Sequence, residues 1–474
     1  MKRIHIIGAG LAGSEAALYL ANRDIPVTLF DMKPEKPSKA HHQSSYAEIV
    51  CSNSLGSQLL SSASGLLKQE LRMLGSSLLS IAEAVAVPAG QALAVDRERF
   101  SEAVTQALTE HPLIELVCKD VQELSPEAAL SIIATGPMTS VGLSGHLSTM
   151  LQRSQLYFFD AASPIITRDS IDFSIAFSQN RYALEKAAQN DTAPDESYIN
   201  CPLDASQYER LVNFLCNAEA IPLKDFEKEE AQYFESCLPV EVIASRGPET
   251  LRFGPMKPVG LINPHTQKRP HAVVQLRQDN REGTLFNMVG FQTNLRWGEQ
   301  KSMIQSIPGL ENADIVRYGV MHRNTYLHSP DVLLPTLQLQ AFPNVLIAGQ
   351  LTGTEGYTES IATGLIAAIN AKRLFQGEAP LMMPAETMIG ALTRYITREE
   401  ARGQSFQPIN SNWGILPALA PEPSATKQRI KDKKSRNQVR NQAFSARSKS
   451  ELEAFSARHL GTAPQKPEYA ETHS

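Results

Sequence analysis

The sequence predicts an α/β protein, a discontinuous Rossmann-like domain interrupted by an inserted mixed α+β domain, and three observations carry that reading. Residues 4–13, Ile-His-Ile-Ile-Gly-Ala-Gly-Leu-Ala-Gly, run from an apolar strand into Gly8, Gly10 and Gly13. Helix formers over 14–22 and a second strand, Val27-Thr-Leu-Phe30, then lead to the acid Asp31. Far downstream the same texture returns in Asn344-Val-Leu-Ile-Ala-Gly349, a buried strand with a glycine exit.

Each element has a local reason. Gly8 permits the tight turn out of the first strand, Gly10 lets backbone approach a pyrophosphate, and Gly13 lets the helix pack close to the sheet. With Ala9, Leu11 and Ala12 they form a cradle in which an anion sits on the helix N-terminus. Asp31 falls where a ribose hydroxyl is gripped. Apolar spacing predicts helices over 65–74 and 99–110, and the strand over 130–134 ends in Thr135-Gly-Pro137, which returns the chain to the crevice.

From about residue 190 Pro and Asn become frequent, a charged helix is expected over 224–234, and strand-like runs cover 271–277 and 285–292. The expected organisation is therefore 1–190 and 336–419 as two parts of one nucleotide-binding domain, 191–335 as the insertion, and 420–474 as a basic tail. The strand at 344–349, its Gly-containing turn and a helix over 359–375 offer a second helix N-terminus to the same crevice. A split domain closing over its nucleotide in this way favours FAD over a nicotinamide used as simple co-substrate.

Composition narrows the class. At 474 residues with 42% hydrophobic content the chain can bury the cores of two or three domains. No stretch of eighteen apolar residues occurs and the N-terminus enters directly into a strand, so a cytoplasmic protein without a membrane span is expected. The five cysteines are scattered, with no CxxC pair to suggest zinc or a disulfide framework. The formal charge of −5 argues against a uniformly basic nucleic-acid binder. Charge is uneven, however: nine Lys and Arg fall between residues 427 and 449, where Asp432 is the only acid. Such a segment can hold phosphates or can simply be a solvated helix face.

Several residues can carry chemistry. Cys51, in Glu48-Ile-Val-Cys-Ser-Asn-Ser-Leu55, lies shortly after the second strand, where loops pass beside a bound flavin ring. Its thiol can act as acid, base or adduct partner, or merely fill a small buried space. Ser52 and Asn53 are suited to bonding flavin heteroatoms. Cys237 is followed by Arg246 and Arg252, cations that favour a thiolate; such a thiolate can add to C6 of a pyrimidine, and a packing cysteine is the other reading. Trp297 and Tyr357 can stack on a planar heterocycle or serve as ordinary core aromatics. His41, His42 and His322 have no companion cluster at metal-ligand spacing, so no metal is expected.

With these residues in view, the chain resembles the family of folate- and FAD-dependent tRNA uracil-5-methyltransferases, relatives of the GidA-type tRNA modification proteins. The resemblance runs from Met1 to about Leu419. It is carried by Ala47-Glu-Ile-Val-Cys-Ser-Asn-Ser-Leu55, Pro88-Ala-Gly-Gln-Ala-Leu-Ala-Val-Asp96, Leu251-Arg-Phe-Gly-Pro-Met-Lys-Pro-Val-Gly260, Trp297-Gly-Glu-Gln300, Tyr318-Gly-Val-Met-His-Arg-Asn-Thr-Tyr326 and Ala348-Gly-Gln-Leu-Thr-Gly-Thr-Glu-Gly-Tyr357. It implies methylation of uridine 54 in the T loop of tRNA, with carbon from 5,10-methylenetetrahydrofolate and electrons from FAD recharged by NADH or NADPH. It implies that Cys237 is the nucleophile on uracil C6 and that Cys51, beside the flavin, removes the C5 proton. Trp297 and Tyr357 match aromatic residues around the folate; Gly8, Gly10, Gly13 and Asp31 match FAD-binding positions, and Asn53, Gly349 and Gln350 are expected there too. tRNA and folate are the implied partners, and no protein partner is evident. Two other readings share much of this pattern: a flavin and folate enzyme acting on a ribosomal RNA uridine, and a non-catalytic FAD-containing subunit of a tRNA-modifying complex.

Overall fold

The computed structural model describes residues 2–36, 41, 43–125, 128–152, 156–161, 163–183, 196–221, 238–319, 321–404, 406–420 and 433–461. A five-stranded parallel sheet forms its first layer, in the order Val345–Ile347, Leu130–Ile133, Ile4–Ile7, Val27–Asp31, Ile114–Cys118. Ile4, Ile6, Ile132 and Leu346 are fully buried, as expected of parallel strands covered on both faces. The strand from the C-terminal part pairs directly with Leu130–Ile133, so the two sequence-distant parts of the domain share one sheet.

The helix Leu11–Ala21 leaves the central strand, and the long helix Tyr357–Phe375 lies against it. The approach is close because Gly364 faces the Ala12 backbone: a Cβ there would stand 2.3 Å from the Ala12 carbonyl oxygen. The expected helices over 65–74 and 99–110 are Ala63–Leu74, capped by Ser62, and Arg97–Glu110, capped by Asp96.

A second sheet of six strands is antiparallel at every pairing, in the order Phe177–Ser178, Tyr198–Leu203, Ala272–Gln278, Leu285–Met288, Ile165–Thr167, Ile315–Arg317. The helix Ala205–Asn217 packs with this layer's core, burying Tyr208, Leu211, Val212 and Leu215 on one stripe, and its Asp204–Gln207 capping box fixes where it starts. Two strands of this sheet precede residue 190, the expected start of the insertion. The chain enters and leaves through the antiparallel ribbon of Leu156–Ala161 with Met321–Tyr326, which puts the transition near residue 160. Strands of two or three residues carry too little periodicity to be assigned to a sheet from sequence. The charged helix expected over 224–234 lies outside the described residues.

Beyond the sheets, the helix Lys433–His459 is docked on the first domain. Leu452 is fully buried, Phe444 stacks on Trp413 with ring centroids 5.7 Å apart, and Ser448 Oγ donates to Glu70 at 2.5 Å. Among the described residues no helix is long and apolar enough to cross a membrane.

Two wholly buried carboxyls tie helices together. Glu15 accepts the Ser76 hydroxyl and the N–H groups of Ser77 and Leu78; Glu70 accepts the N–H groups of Met388 and Ile389 besides Ser448. Burial pushes both up to about 7 from an ordinary 4.5, against the hydrogen bonds that favour the charged form. On raising the pH, the unfolded chain therefore loses these protons first. The stability they contribute is complete below about pH 4.5 and is lost as the pH climbs to about 7. We expect Glu15→Gln with Glu70→Gln to flatten the pH dependence of denaturant unfolding across that window, by on the order of 3 kcal/mol per carboxyl if each shift is fully expressed. An unchanged slope would rule the assignment out.

Candidate active site

At the C-terminal edge of the parallel sheet a cavity of about 600 Å³ opens, a size typical of small-molecule sites. Two helix N-termini face it, Gly10–Ala12 from the first helix and Gly356–Ser360 from the long one. Orphan N–H groups and the positive end of each helix dipole suit it to a phosphate-bearing ligand.

The glycines explain its shape. Gly8 has φ +100°, and a Cβ there would stand 2.5 Å from the Ala134 carbonyl oxygen. A Cβ on Gly13 would stand 1.8 Å from the Gly8 carbonyl oxygen, so this residue seats the helix on the strand and does not itself line the cavity. At Gly10 the space beyond the backbone is open for 4 Å. Asp31 closes the turn: one carboxylate oxygen accepts the Ala9 N–H at 2.7 Å and the other the Lys33 N–H at 2.8 Å. A carboxylate has further lone pairs, so Asp31 can hold the turn and still accept from a ribose. An extended dinucleotide fits these residues, with the glycine turn under its phosphates.

Gly8, Ala9, Gly10, Leu11, Ala12, Asp31, Cys51, Gly349, Gln350 and Tyr357 all line the cavity. Asn53 does not. It is fully buried behind the wall, where its amide donates to the carbonyls of Val95 and Gln278 and its oxygen accepts from Arg277 Nε at 3.1 Å. Its amide NH2 and oxygen are thereby engaged with the first domain at Val95 and with the insertion at Gln278 and Arg277. Trp297 is also absent from the lining; it is 61% exposed at the start of the helix Trp297–Gln305 and stacks on Tyr318 at 5.5 Å. Cys237 and His42 lie outside the described residues, as does the side chain of His322. Leu238 to Val240 are described, and the Val240 N–H donates at 2.7 Å to the carbonyl of Gln292, a cavity-lining residue. Among the described residues no group of three or more His, Cys, Asp and Glu could hold a metal ion.

The loop carrying Cys51 is where three stretches of chain converge. From the long helix, the Tyr357 hydroxyl accepts the N–H of Cys51 at 2.8 Å and of Ser52 at 3.2 Å. Burial, then the neighbouring Cys51, holds this phenol protonated far above its ordinary range. From the insertion sheet, Arg277 donates to Ser52 Oγ at 2.7 Å, and Arg317 donates to the Val50 carbonyl. From the first domain, Arg97 donates to the Ile49 carbonyl at 2.7 Å and forms a buried ion pair with Asp279 at 2.9 Å. Tyr357→Phe leaves two N–H groups of this loop without their acceptor. We expect a loss of about 1–3 kcal/mol in denaturant unfolding; stability equal to the parent protein would mean that the hydroxyl holds nothing.

Against known proteins, residues 3–379 match the family model of glucose inhibited division protein A. The chain belongs to the glucose inhibited division protein A family. A Heliobacterium modesticaldum protein named methylenetetrahydrofolate–tRNA-(uracil-5-)-methyltransferase TrmFO is 50% identical over 457 residues, 96% of this chain and 98% of that one. Its Bacillus subtilis namesake is 49% identical over 435 residues, 92% of this chain and 95% of the relative. A crystal structure of Aquifex aeolicus GidA superposes with a TM-score of 0.65 at 16% identity, covering 98% of this chain and 74% of that one. That likeness establishes the fold, the parallel sheet with its inserted domain, for this member of the glucose inhibited division protein A family.

Arg97, Arg277, Arg317 and Gly364 are site or packing residues that sequence reasoning did not single out. Arg277 and Arg317 did leave a signal, since each stands at or near the end of a mostly apolar strand, where a charge is rare unless it is paired.

Proposed function

We propose that this chain methylates C5 of uridine 54 in the T loop of tRNA, taking its carbon from 5,10-methylenetetrahydrofolate and its electrons from FAD reduced by NADH or NADPH. One observation carries the reading: a thiol, Cys51, stands in the wall of a dinucleotide-shaped cavity, in a chain half identical to proteins named for this reaction. The named relatives act on tRNA, which favours tRNA over ribosomal RNA as substrate. Bulk cytoplasm, where tRNA is modified, is the matching location.

The residues divide the work. Gly8 to Ala12 and Asp31 would hold the adenosine and pyrophosphate of FAD, while Cys51, Gly349, Gln350 and Tyr357 line the remaining wall. FAD bound there in its reduced form would supply the two electrons that bring the transferred carbon to the methyl level. The Cys237 thiolate adds to uracil C6 and thereby makes C5 nucleophilic toward the one-carbon unit. Cys51 takes the C5 proton as the amine that carried the carbon leaves, and two-electron reduction of the resulting exocyclic methylene expels Cys237 and restores the 5,6 double bond. Only two residues, three chain steps of about 10 Å in all at full extension, separate Cys237 from Val240, which is bonded to the cavity wall. Uridine 54 is buried in folded tRNA and must be turned out to reach this thiol.

Cys237→Ala is expected to abolish the covalent complex with T-loop RNA bearing 5-fluorouridine, seen as a retarded band on a denaturing gel. An undiminished adduct in that variant removes Cys237 from the nucleophile's role.

A further inference from the structure

Behind the Cys51 wall the charges do not balance. Arg97, Arg277 and Arg317 converge on residues 49–53, and among the described residues the one carboxylate bonded to any of the three is Asp279, held by Arg97 Nε at 2.9 and 3.1 Å. Asp96, next to Arg97, is engaged elsewhere: it caps its own helix through the Arg99 N–H, accepts the Arg281 N–H and pairs with the Arg99 side chain. Among the described residues Arg277 bonds neutral oxygens, those of Asn53, Ser52 and Tyr198. Arg97 and Arg317 both donate to the Val50 carbonyl. Each then keeps one buried N–H without a partner, Nη2 of Arg97 and Nε of Arg317, and Arg97 is only 7% exposed.

Guanidinium groups do not deprotonate in proteins, so this is standing positive charge in a poorly hydrated place. Buried cations without a counter-ion are costly, and they persist where an anion completes them. The residue following Val50 is Cys51, whose thiol is the ionisable group nearest in sequence to the doubly bonded carbonyl and which lines the cavity. We infer that Arg97 and Arg317 act as positioning residues that hold Cys51 as a thiolate, so that it meets the substrate already competent as a base. The inference rests on the reading of Cys51 as the base. The electrostatics at Arg317 agree: burial and Arg97 oppose its charge, while Asp279 and an ionised Cys51 favour it. Tyr357, packed on the other side, stays neutral and so does not compete for the positive field. Glu48, three residues before Cys51, is paired with Lys33 at 3.7 Å.

The test is the pH dependence of Cys51 alkylation by iodoacetamide in the holoenzyme, followed by peptide mass spectrometry. An ordinary thiol titrates near ~8.5. In the parent protein the midpoint is expected at least one pH unit lower. Arg317→Gln should raise it and slow alkylation at pH 7 about tenfold, whereas Arg317→Lys should keep most of the effect. If Arg317→Gln proves too unstable to titrate, Arg97→Gln takes its place: the inference predicts a raised midpoint there, whereas a purely structural role predicts a parental midpoint with altered melting only. A parental midpoint at or above the ordinary thiol value, or equal midpoints in parent and Arg317→Gln, overturns the inference. No tRNA or folate enters this measurement. A depressed midpoint in a protein that fails to methylate tRNA would therefore reject the proposed function and leave the thiolate assignment standing.

Discussion

Gly13→Ala is expected to yield a protein without bound flavin, colourless where the parent is yellow. The added methyl group would stand 1.8 Å from the Gly8 carbonyl oxygen, and 3.0 Å from the carbonyl carbon behind it. Both are backbone atoms, so no side-chain rotation relieves the clash. The first helix must lift off the central strand, taking with it the N–H groups of the glycine turn. Overpacking of a rigid core typically costs about 1–3 kcal/mol, and here the displaced segment is also the cofactor's cradle. Helix Tyr357–Phe375 cannot follow the movement freely, because Gly364 already touches the Ala12 backbone. Absorbance of the purified variant near the flavin bands, against protein concentration, measures the result. A fully flavinated Gly13→Ala protein would show that the close packing does not shape the site.

Cys51→Ala is expected to remove methylation while leaving both flavin content and the 5-fluorouridine adduct in place. General-base catalysis contributes about 10²–10⁴-fold, so 5-methyluridine formation should fall by that range. The loop should survive the change, since the Cys51 N–H still has the Tyr357 hydroxyl and the Val50 carbonyl still has its two guanidinium partners. In the proposed reaction, adduct formation needs only the Cys237 thiolate and an accessible C6, so it separates the two cysteines by role. Loss of the adduct together with activity would mean that Cys51 serves RNA binding or folding and not proton removal.

The geometry of the glycine turn was legible in the sequence because its determinants are local. Gly8, Gly10, Gly13 and Asp31 lie within one strand-helix-strand unit, and their conformational demands follow from spacing alone. The return strand Val345–Ile347 was legible for a related reason, an apolar run with a glycine exit. What stayed hidden depends on partners far away in the chain. Asn53 reads as a flavin ligand from its place beside Cys51, yet its amide is consumed by Val95 and Gln278, and only the packed insertion reveals that. Arg97 and Arg317 are more than two hundred residues apart and meet at one carbonyl. Trp297 shows the reverse: an aromatic side chain in a recognisable motif, placed by the fold on the surface against Tyr318. The domain boundary moved because the short strands Ile165–Thr167 and Phe177–Ser178 acquire their identity only from the sheet they join.

The most direct test of the proposed reaction is transfer of labelled carbon from 5,10-methylenetetrahydrofolate to unmodified tRNA by the purified protein with FAD and NADH or NADPH. The account predicts label in 5-methyluridine at position 54, with S-adenosylmethionine neither required nor able to replace the folate. Label in a ribosomal RNA uridine but not in tRNA, or methylation that follows S-adenosylmethionine, would contradict it.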